Sequence, residues 1–246
     1  MRTTAIDIER LAERLNALRA ADPELRVFGA ETHRYELRPT LGENDIARFE
    51  RERGVELPGD YRAFLEQIGD GGAGPQYGLR TLADATRRQD VDLSRDFVWE
   101  QRVELDGPAS SQVEAWLEDP CGIATICDHG CGYTSFLVVR GPSRGTVWDE
   151  WVAADGPLTP TGLDFGSWYL EWIESKLRTI ARAPRTEAVR VGMHRSELRA
   201  LLGEERVWGS AGVEEGETHV GFDDCHGSFL LGSDGRVKRT YIRSFY

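Results

Sequence analysis

A run of glycines directly after a short amphipathic segment is the feature that most constrains how this chain folds. Gly69, Gly71, Gly72 and Gly74 fill four of six consecutive positions, and Pro75 follows them. Glycine adopts left-handed backbone conformations that other residues avoid, and it lets two stretches of backbone approach closely. The run therefore predicts that a helix ends here and that the chain turns tightly against whatever the helix covers.

The segment before the glycines has the pattern of a helix with one buried face. Pro58 suits the first turn, because its φ is already helical and its missing N–H needs no partner there. Asp60 adds a carboxylate near the positive end of the helix dipole. Four apolar residues then recur at helical spacing, which predicts that this face is buried: Tyr61, Phe64, Leu65 and Ile68.

The same glycines also match the dinucleotide-binding pattern G-x-G-x-x-G at positions 69, 71 and 74. That pattern binds a pyrophosphate when it follows a buried strand and precedes a helix. Here a helix precedes the glycines and a proline follows them. We therefore expect a structural turn and not a nucleotide site.

Several of these residues resemble the motifs of a known family. The motif consists of an acidic helix at residues 43–53, the residues that open the next helix, two of its apolar residues and a diglycine turn: Leu57, Pro58, Asp60, Tyr61, Phe64, Leu65, Gly71 and Gly72. Three glycines and a tryptophan downstream are similar to the same family's central strands: Gly130, Gly132, Gly145 and Trp148. The pattern resembles the SUKH superfamily, also called the SMI/KNR family, over about residues 28–180.

This resemblance implies an α+β fold in which an antiparallel sheet packs with helices. Bacterial members of the superfamily are mainly immunity proteins of polymorphic toxin systems, and the yeast members regulate the cell wall. The resemblance does not reach residues 187–246, whose pattern predicts a small α+β appendage with one helix over a meander of strands. We therefore predict two domains, residues 1–183 and residues 187–246.

Secondary-structure patterns elsewhere agree with this class. Three extended runs with short connections predict antiparallel neighbours at residues 122–127, 134–140 and 146–151. Asp164 is predicted to cap a long helix that begins at Phe165 and presents one wide apolar face. An amphipathic helix is predicted over residues 6–20.

Charge and composition exclude several functional classes. The net charge of −12 argues against a protein that grips phosphate backbones, which needs clustered Lys and Arg. The chain has no apolar run long enough to span a bilayer and no N-terminal hydrophobic segment, and its four cysteines are unevenly spaced for a disulfide framework. We expect a cytoplasmic protein that binds neither nucleic acid nor membrane.

The acidity is concentrated in two segments. Residues 84–119 hold ten acidic and four basic side chains, and residues 146–175 hold six acidic and no basic ones. An acidic face speeds the capture of a basic partner, although it also serves simply as a soluble surface. Trp151, flanked by Asp149 and Glu150 at a strand end, is predicted to be exposed, and these three are the candidate partner-binding residues.

One segment contains residues that often carry chemistry. Cys127, His129 and Cys131 are close in sequence, but a closed zinc site needs four ligands, usually in two close pairs. A cysteine nucleophile with a histidine base needs a third group to orient the base, and the sequence identifies none. We expect a glycine-bearing turn there, with no metal, no cofactor and no catalytic residue.

The resulting prediction is a non-enzymatic binding protein, an immunity protein that neutralises a cognate toxin with a basic domain. Two alternatives stay open from the sequence. A cytoplasmic scaffold or regulatory module would bind several unrelated partners, as the yeast relatives imply. A hydrolase would need a cleft whose titratable groups have shifted pKa values.

Overall fold

A computed structural model describes residues 7–87, 91–105, 110–154, 156–208, 216–222, 225 and 227–242. The chain divides into two compact units. The first comprises residues 1–19 and 29–172, and the second comprises residues 20–28 and 173–246. The predicted domains, residues 1–183 and 187–246, stay a prediction. Within the described residues, no helix is both long and apolar enough to cross a membrane.

Among the described residues, six α-helices precede the first sheet in sequence. They are α1 (Ile8–Ala21), α2 (Ala30–His33), α3 (Glu43–Arg53), α4 (Gly59–Gln67), α5 (Leu82–Ala85) and α6 (Ser110–Glu118). Of the four residues predicted to face inward, Tyr61, Phe64 and Leu65 lie in α4 and are buried, and the half-buried Ile68 is its C-cap. The prediction of an amphipathic helix with one buried face is therefore confirmed for this segment.

The first sheet has four antiparallel strands in sequential order. They are β1 (Ile123–Gly130), β2 (Tyr133–Val138), β3 (Thr146–Glu150) and β4 (Leu158–Asp164). The first three strands were predicted and are confirmed as antiparallel neighbours. The sequence did not predict β4, because Pro160 and Gly162 interrupt it. An outermost strand tolerates both residues, since it needs hydrogen bonds along one side only.

The long helix α7 (Phe165–Glu187) begins where β4 ends. Asp164 caps it, accepting a hydrogen bond from the Ser167 backbone N–H at 2.8 Å, as predicted. Phe64 of α4 packs edge-on against Phe165 and Tyr169, each with ring centroids 5.1 Å apart. All three rings are at most 1 % exposed, so α4 and the start of α7 share one aromatic core.

The diglycine turn after α4 joins three stretches of backbone. Gly71 and Gly72 have φ values of 83° and 103°. Gly72 forms antiparallel bridges with both Leu37 and Leu79. A Cβ atom at Gly72 would lie 2.4 Å from the Glu36 carbonyl oxygen, so the turn requires glycine for its conformation and for its close approach.

The second unit contains the end of α7, the helix α8 (Arg195–Leu202) and a second antiparallel sheet. Its strands in order are β5 (Glu205–Trp208), β6 (Thr218–Phe222), β7 (Gly227–Leu231) and β8 (Val237–Ile242). Its hydrophobic core consists of residues from α8, the sheet and the segment between α7 and α8: Val189, Leu198, Leu202, Val220, Phe222, Phe229, Leu231 and Val237. The α+β class is confirmed in both units.

Candidate functional site

The three predicted partner-binding residues lie at the end of β3, but they do not share one face. Successive strand residues point to opposite faces of a sheet, so Asp149 and Glu150 diverge. Glu150 is 4 % exposed and accepts a hydrogen bond from the Thr134 Oγ1 hydroxyl at 2.8 Å. It also lines a cavity of about 10 Å³ together with Trp116. The prediction that Glu150 meets a partner is therefore corrected, because its carboxylate is buried.

Trp151 is 39 % exposed and lies in a cluster of rings at one end of the first sheet. Its ring centroid is 4.9 Å from that of Tyr133 and 6.1 Å from that of His129. Tyr77, 46 % exposed, lies over the β1–β2 turn, where a Cβ atom at Gly130 would be 3.0 Å from its ring. We call Tyr77, His129, Tyr133 and Trp151 the aromatic patch.

A chain of hydrogen bonds lies beneath the aromatic patch. His129 Nε2 is 2.7 Å from the Ser135 hydroxyl, and that hydroxyl donates to Asp149 Oδ1 at 2.6 Å. A serine hydroxyl has one proton, and here Asp149 accepts it. Ser135 must therefore accept from His129, so Nε2 carries the imidazole proton and Nδ1 carries the lone pair.

Strand register explains this arrangement. Ser135 pairs directly with Asp149 across β2 and β3, so both side chains lie on the same face. The β1–β2 register shifts between Asp128 and Gly130, which leaves His129 as the extra residue. Cys127 pairs with Ser135, and residues two apart in a strand share a face, so His129 lies on the face of Ser135.

The electrostatics of the patch combine burial with acidic neighbours. Burial lowers the pKa of His129 from its ordinary value, and it outweighs the opposing effects of Asp149 and Asp128. The imidazole is therefore neutral at neutral pH. The Asp128 side chain is 45 % exposed and accepts a hydrogen bond from Arg80 Nη2 at 3.0 Å.

These contacts do not make a nucleophile and a base. Ser135 is fully buried. His129 donates a hydrogen bond to the Ser135 hydroxyl, whereas a general base would accept the proton of that hydroxyl. Cys127 is also buried, its thiol donates to the Pro75 carbonyl oxygen at 3.1 Å, and burial raises its pKa. A thiol with a raised pKa is a poor nucleophile, because the thiolate is the reactive form.

Over the parts of the chain that the structure describes, no group of three or more His, Cys, Asp and Glu residues could hold a metal ion. Cys131 is exposed in the β1–β2 turn, whereas Cys127 points into the protein. The two thiols and His129 therefore do not form a closed zinc site, and the metal-free state stays a prediction.

The model of the SMI1 / KNR4 family (SUKH-1) matches residues 40–171. The chain belongs to the SUKH-1 family. No significant match was found among curated proteins or among solved structures. The SUKH-1 match includes α3 to α6, all four strands of the first sheet and the aromatic patch, and it ends before the second unit's part of α7.

The residues that carry the SUKH-1 resemblance lie at a helix cap, in turns and in the core. Pro58 is the N-cap of α4. Gly130, Gly132 and Gly145 have positive φ in turns flanking β2. The buried members belong to the core or its hydrogen bonds: Leu57, Asp60, Tyr61, Phe64, Leu65 and Trp148.

Sequence reasoning missed three members of the site, Tyr77, Tyr133 and Ser135. The pairing of Ser135 with Asp149 follows from the register of two predicted strands, so it could have been found by aligning them about their turn. Tyr77 depends on the fold of the glycine run, and no local pattern in the sequence indicates where its ring lies.

Proposed function

We propose that this SUKH-1 protein is a non-enzymatic immunity protein, which neutralises a cognate toxin by binding and covering it. Family membership supports the class, because SUKH-1 includes toxin immunity proteins. The aromatic patch is the observation that supports a binding role. Partly exposed Trp and Tyr rings are enriched at the centres of protein interfaces, where they contribute most of the binding energy.

Charge supports a basic partner. Residues 20–28 and 173–246 contain 13 acidic and 13 basic side chains, so the whole net charge of −12 belongs to the first unit. That unit contains the aromatic patch with Asp128 and Asp149. An acidic surface increases the rate at which a basic toxin domain is captured.

The alternatives predict other behaviour. A scaffold would bind several unrelated proteins through this surface and would rescue no cell from a toxin. A hydrolase would turn over a substrate, and the buried Ser135 and the donor role of His129 argue against the nearest such arrangement.

The test is neutralisation of a toxin in cells. The product of an adjoining coding sequence is expressed from an inducible promoter, with and without this protein, and growth is measured. The parent should restore growth, and Trp151→Ala should reduce or abolish rescue. Val98→Ala is the matched control, since Val98 is a 63 % exposed apolar residue outside the patch. No rescue by the parent at a verified expression level would contradict the proposal.

Cys131 supplies an independent measurement with the purified pair. Its exposed thiol lies in the β1–β2 turn beside the patch, so a bound toxin should slow its alkylation. Alkylation of Cys131 at an unchanged rate in a saturated complex would show that the toxin binds elsewhere.

A further inference from the structure

The aromatic patch presents rings, a hydrogen-bond acceptor and carboxylates at one place. Tyr77 and Trp151 are 46 % and 39 % exposed, and Tyr133 lies against Trp151. The negative face of an aromatic ring attracts a cation within about 6 Å of its centroid. Rings alone would suit any apolar side chain, so the polar groups decide what the patch selects.

The acceptor is His129 Nδ1. The hydrogen bonds through Ser135 to Asp149 place the imidazole proton on Nε2. Nδ1 therefore holds a lone pair, and it has no hydrogen-bond partner among the described residues. His129 is half-buried, so its ring is not closed off from solvent.

The carboxylates set the sign of the charge. Asp149 lies behind His129, and the described hydrogen bond to its carboxylate comes from the neutral Ser135 hydroxyl. Arg80 pairs with Asp128, whose side chain is 45 % exposed. Residues 146–175 contain no lysine or arginine, so no cation of that segment neutralises Asp149.

We propose that the aromatic patch binds an arginine side chain of the basic toxin, stacked on Trp151 and donating to His129 Nδ1. This inference rests on the proposed function and names the group recognised at its interface. A planar guanidinium stacks on aromatic rings and donates along its edge at the same time. A lysine ammonium has no flat face to stack and retains its hydration more strongly. Asp149 acts through Ser135 as a positioning residue that fixes the acceptor nitrogen of His129.

The test uses short peptides as probes. Acetyl-Gly-Arg-Gly-amide is titrated against the protein, with citrulline and lysine peptides as controls, and the indole N–H of Trp151 is followed by NMR. Citrulline has almost the shape of arginine without its charge. The arginine peptide should bind at least about fivefold more tightly than the citrulline peptide, with lysine between them. Equal affinity for arginine and citrulline would overturn the proposal.

Two variants test the charge of Asp149 and the acceptor of His129 separately. Asp149→Asn keeps the acceptor for Ser135 but removes the charge, and His129→Phe keeps a ring but removes Nδ1. Both should lower the arginine-to-citrulline affinity ratio toward one, a quantity that a general loss of packing would not change selectively. Val98→Ala should leave the ratio at its parental value. A parental ratio in both patch variants would contradict the assignment.

The outcome separates this inference from the proposed function. If Trp151→Ala abolishes toxin neutralisation while arginine and citrulline peptides bind equally, the interface stands and the arginine assignment fails. If the arginine preference is found but Trp151→Ala still neutralises the toxin, the patch binds guanidinium groups and the proposed interface is wrong.

Discussion

The buried carboxylate of Asp60 accepts a hydrogen bond from the backbone N–H of Gly166 at 3.0 Å, joining the first turns of two helices that are far apart in sequence. Its other oxygen accepts from the Tyr61 N–H at 2.9 Å. Asp60 is 3 % exposed, and burial raises its pKa despite these backbone donors. One side chain thus satisfies N–H groups at the start of both α4 and α7, where a helix leaves its donors without partners.

Removing this carboxylate should destabilise the first unit. We expect Asp60→Ala to lower the free energy of unfolding by about 2–3 kcal/mol, since two buried donors lose a charged acceptor. The matched control is Asp164→Ala, which removes the exposed cap of the same helix α7 and should cost about 1 kcal/mol. Urea unfolding of both variants measures the difference, and equal losses would show that burial of Asp60 adds nothing.

Gly72 should tolerate no side chain. Gly72→Ala places a methyl group 2.4 Å from the Glu36 carbonyl oxygen at a φ of 103°. Gly162 is the control, because its φ is 77° but no atom lies within 4 Å of a Cβ there. Gly162→Ala should cost about 1 kcal/mol through backbone strain, and Gly72→Ala about 3 kcal/mol or more. Melting temperatures that fall equally would show that the turn opens without penalty.

His33 should make stability depend on pH. It is 8 % exposed, and burial lowers its pKa from 6.5 to about 4. Above pH 6.5 both the folded and the unfolded chain hold it neutral, so its contribution is fully present. Below that pH the unfolded chain binds the proton first, and the contribution is lost progressively as the pH falls from 6.5 to about 4.

The variant His33→Asn isolates this effect. Asn keeps an acceptor for the Tyr35 N–H, which bonds to His33 Nδ1 at 3.1 Å, but it does not titrate. Between pH 7 and pH 4.5 the parent should lose about 2–3 kcal/mol more stability than the variant. Unfolding in urea at several pH values measures both, and parallel pH profiles would contradict the burial of a neutral histidine.

Glu150 and Asp128 should respond differently to charge reversal. Glu150→Lys places an ammonium group in the site of a buried carboxylate, and we expect it to cost about 3 kcal/mol or more. Asp128→Lys removes an ion pair whose carboxylate is 45 % exposed and a hydrogen bond from the Gly130 N–H at 2.8 Å, and it should cost about 1–2 kcal/mol. Thermal melting distinguishes the two, and an unchanged melting temperature for Glu150→Lys would place that side chain in solvent.

Much of the fold could be predicted because its causes are local. Helical spacing identified the buried face of α4, and Asp164 identified the start of α7. Helix α7 nevertheless continues through Pro184 to Glu187, where the sequence favoured a boundary. Proline removes one hydrogen bond from a helix. Ala183 and Thr186, on either side of Pro184, are both buried, and the helix continues through them.

The site was less predictable because its causes are not local. Trp151 was recognised from its position at a strand end. The burial of Glu150 follows from strand alternation together with knowledge of which sheet face is covered, and the sequence does not show which face that is. The role of His129 depends on its hydrogen bond to Ser135 across β1 and β2, and the pairing of those strands is irregular at two places that no local pattern indicates.

The bridges around Gly72 have a consequence for how another molecule can attach. Gly72 bridges Leu79, Leu79 bridges Cys127, and the Arg80 N–H donates to the Ile126 carbonyl oxygen at 2.9 Å. The backbone groups of Cys127 and Ile126 could otherwise form hydrogen bonds with a strand of another molecule, but they are already paired within the chain. At the opposite side of the sheet Val103 exchanges two hydrogen bonds with Leu158, and Pro160 has no N–H to offer. A foreign strand therefore cannot pair with the main chain at these positions. A partner that binds there contacts side chains instead, which favours selective binding over binding that ignores the partner's sequence.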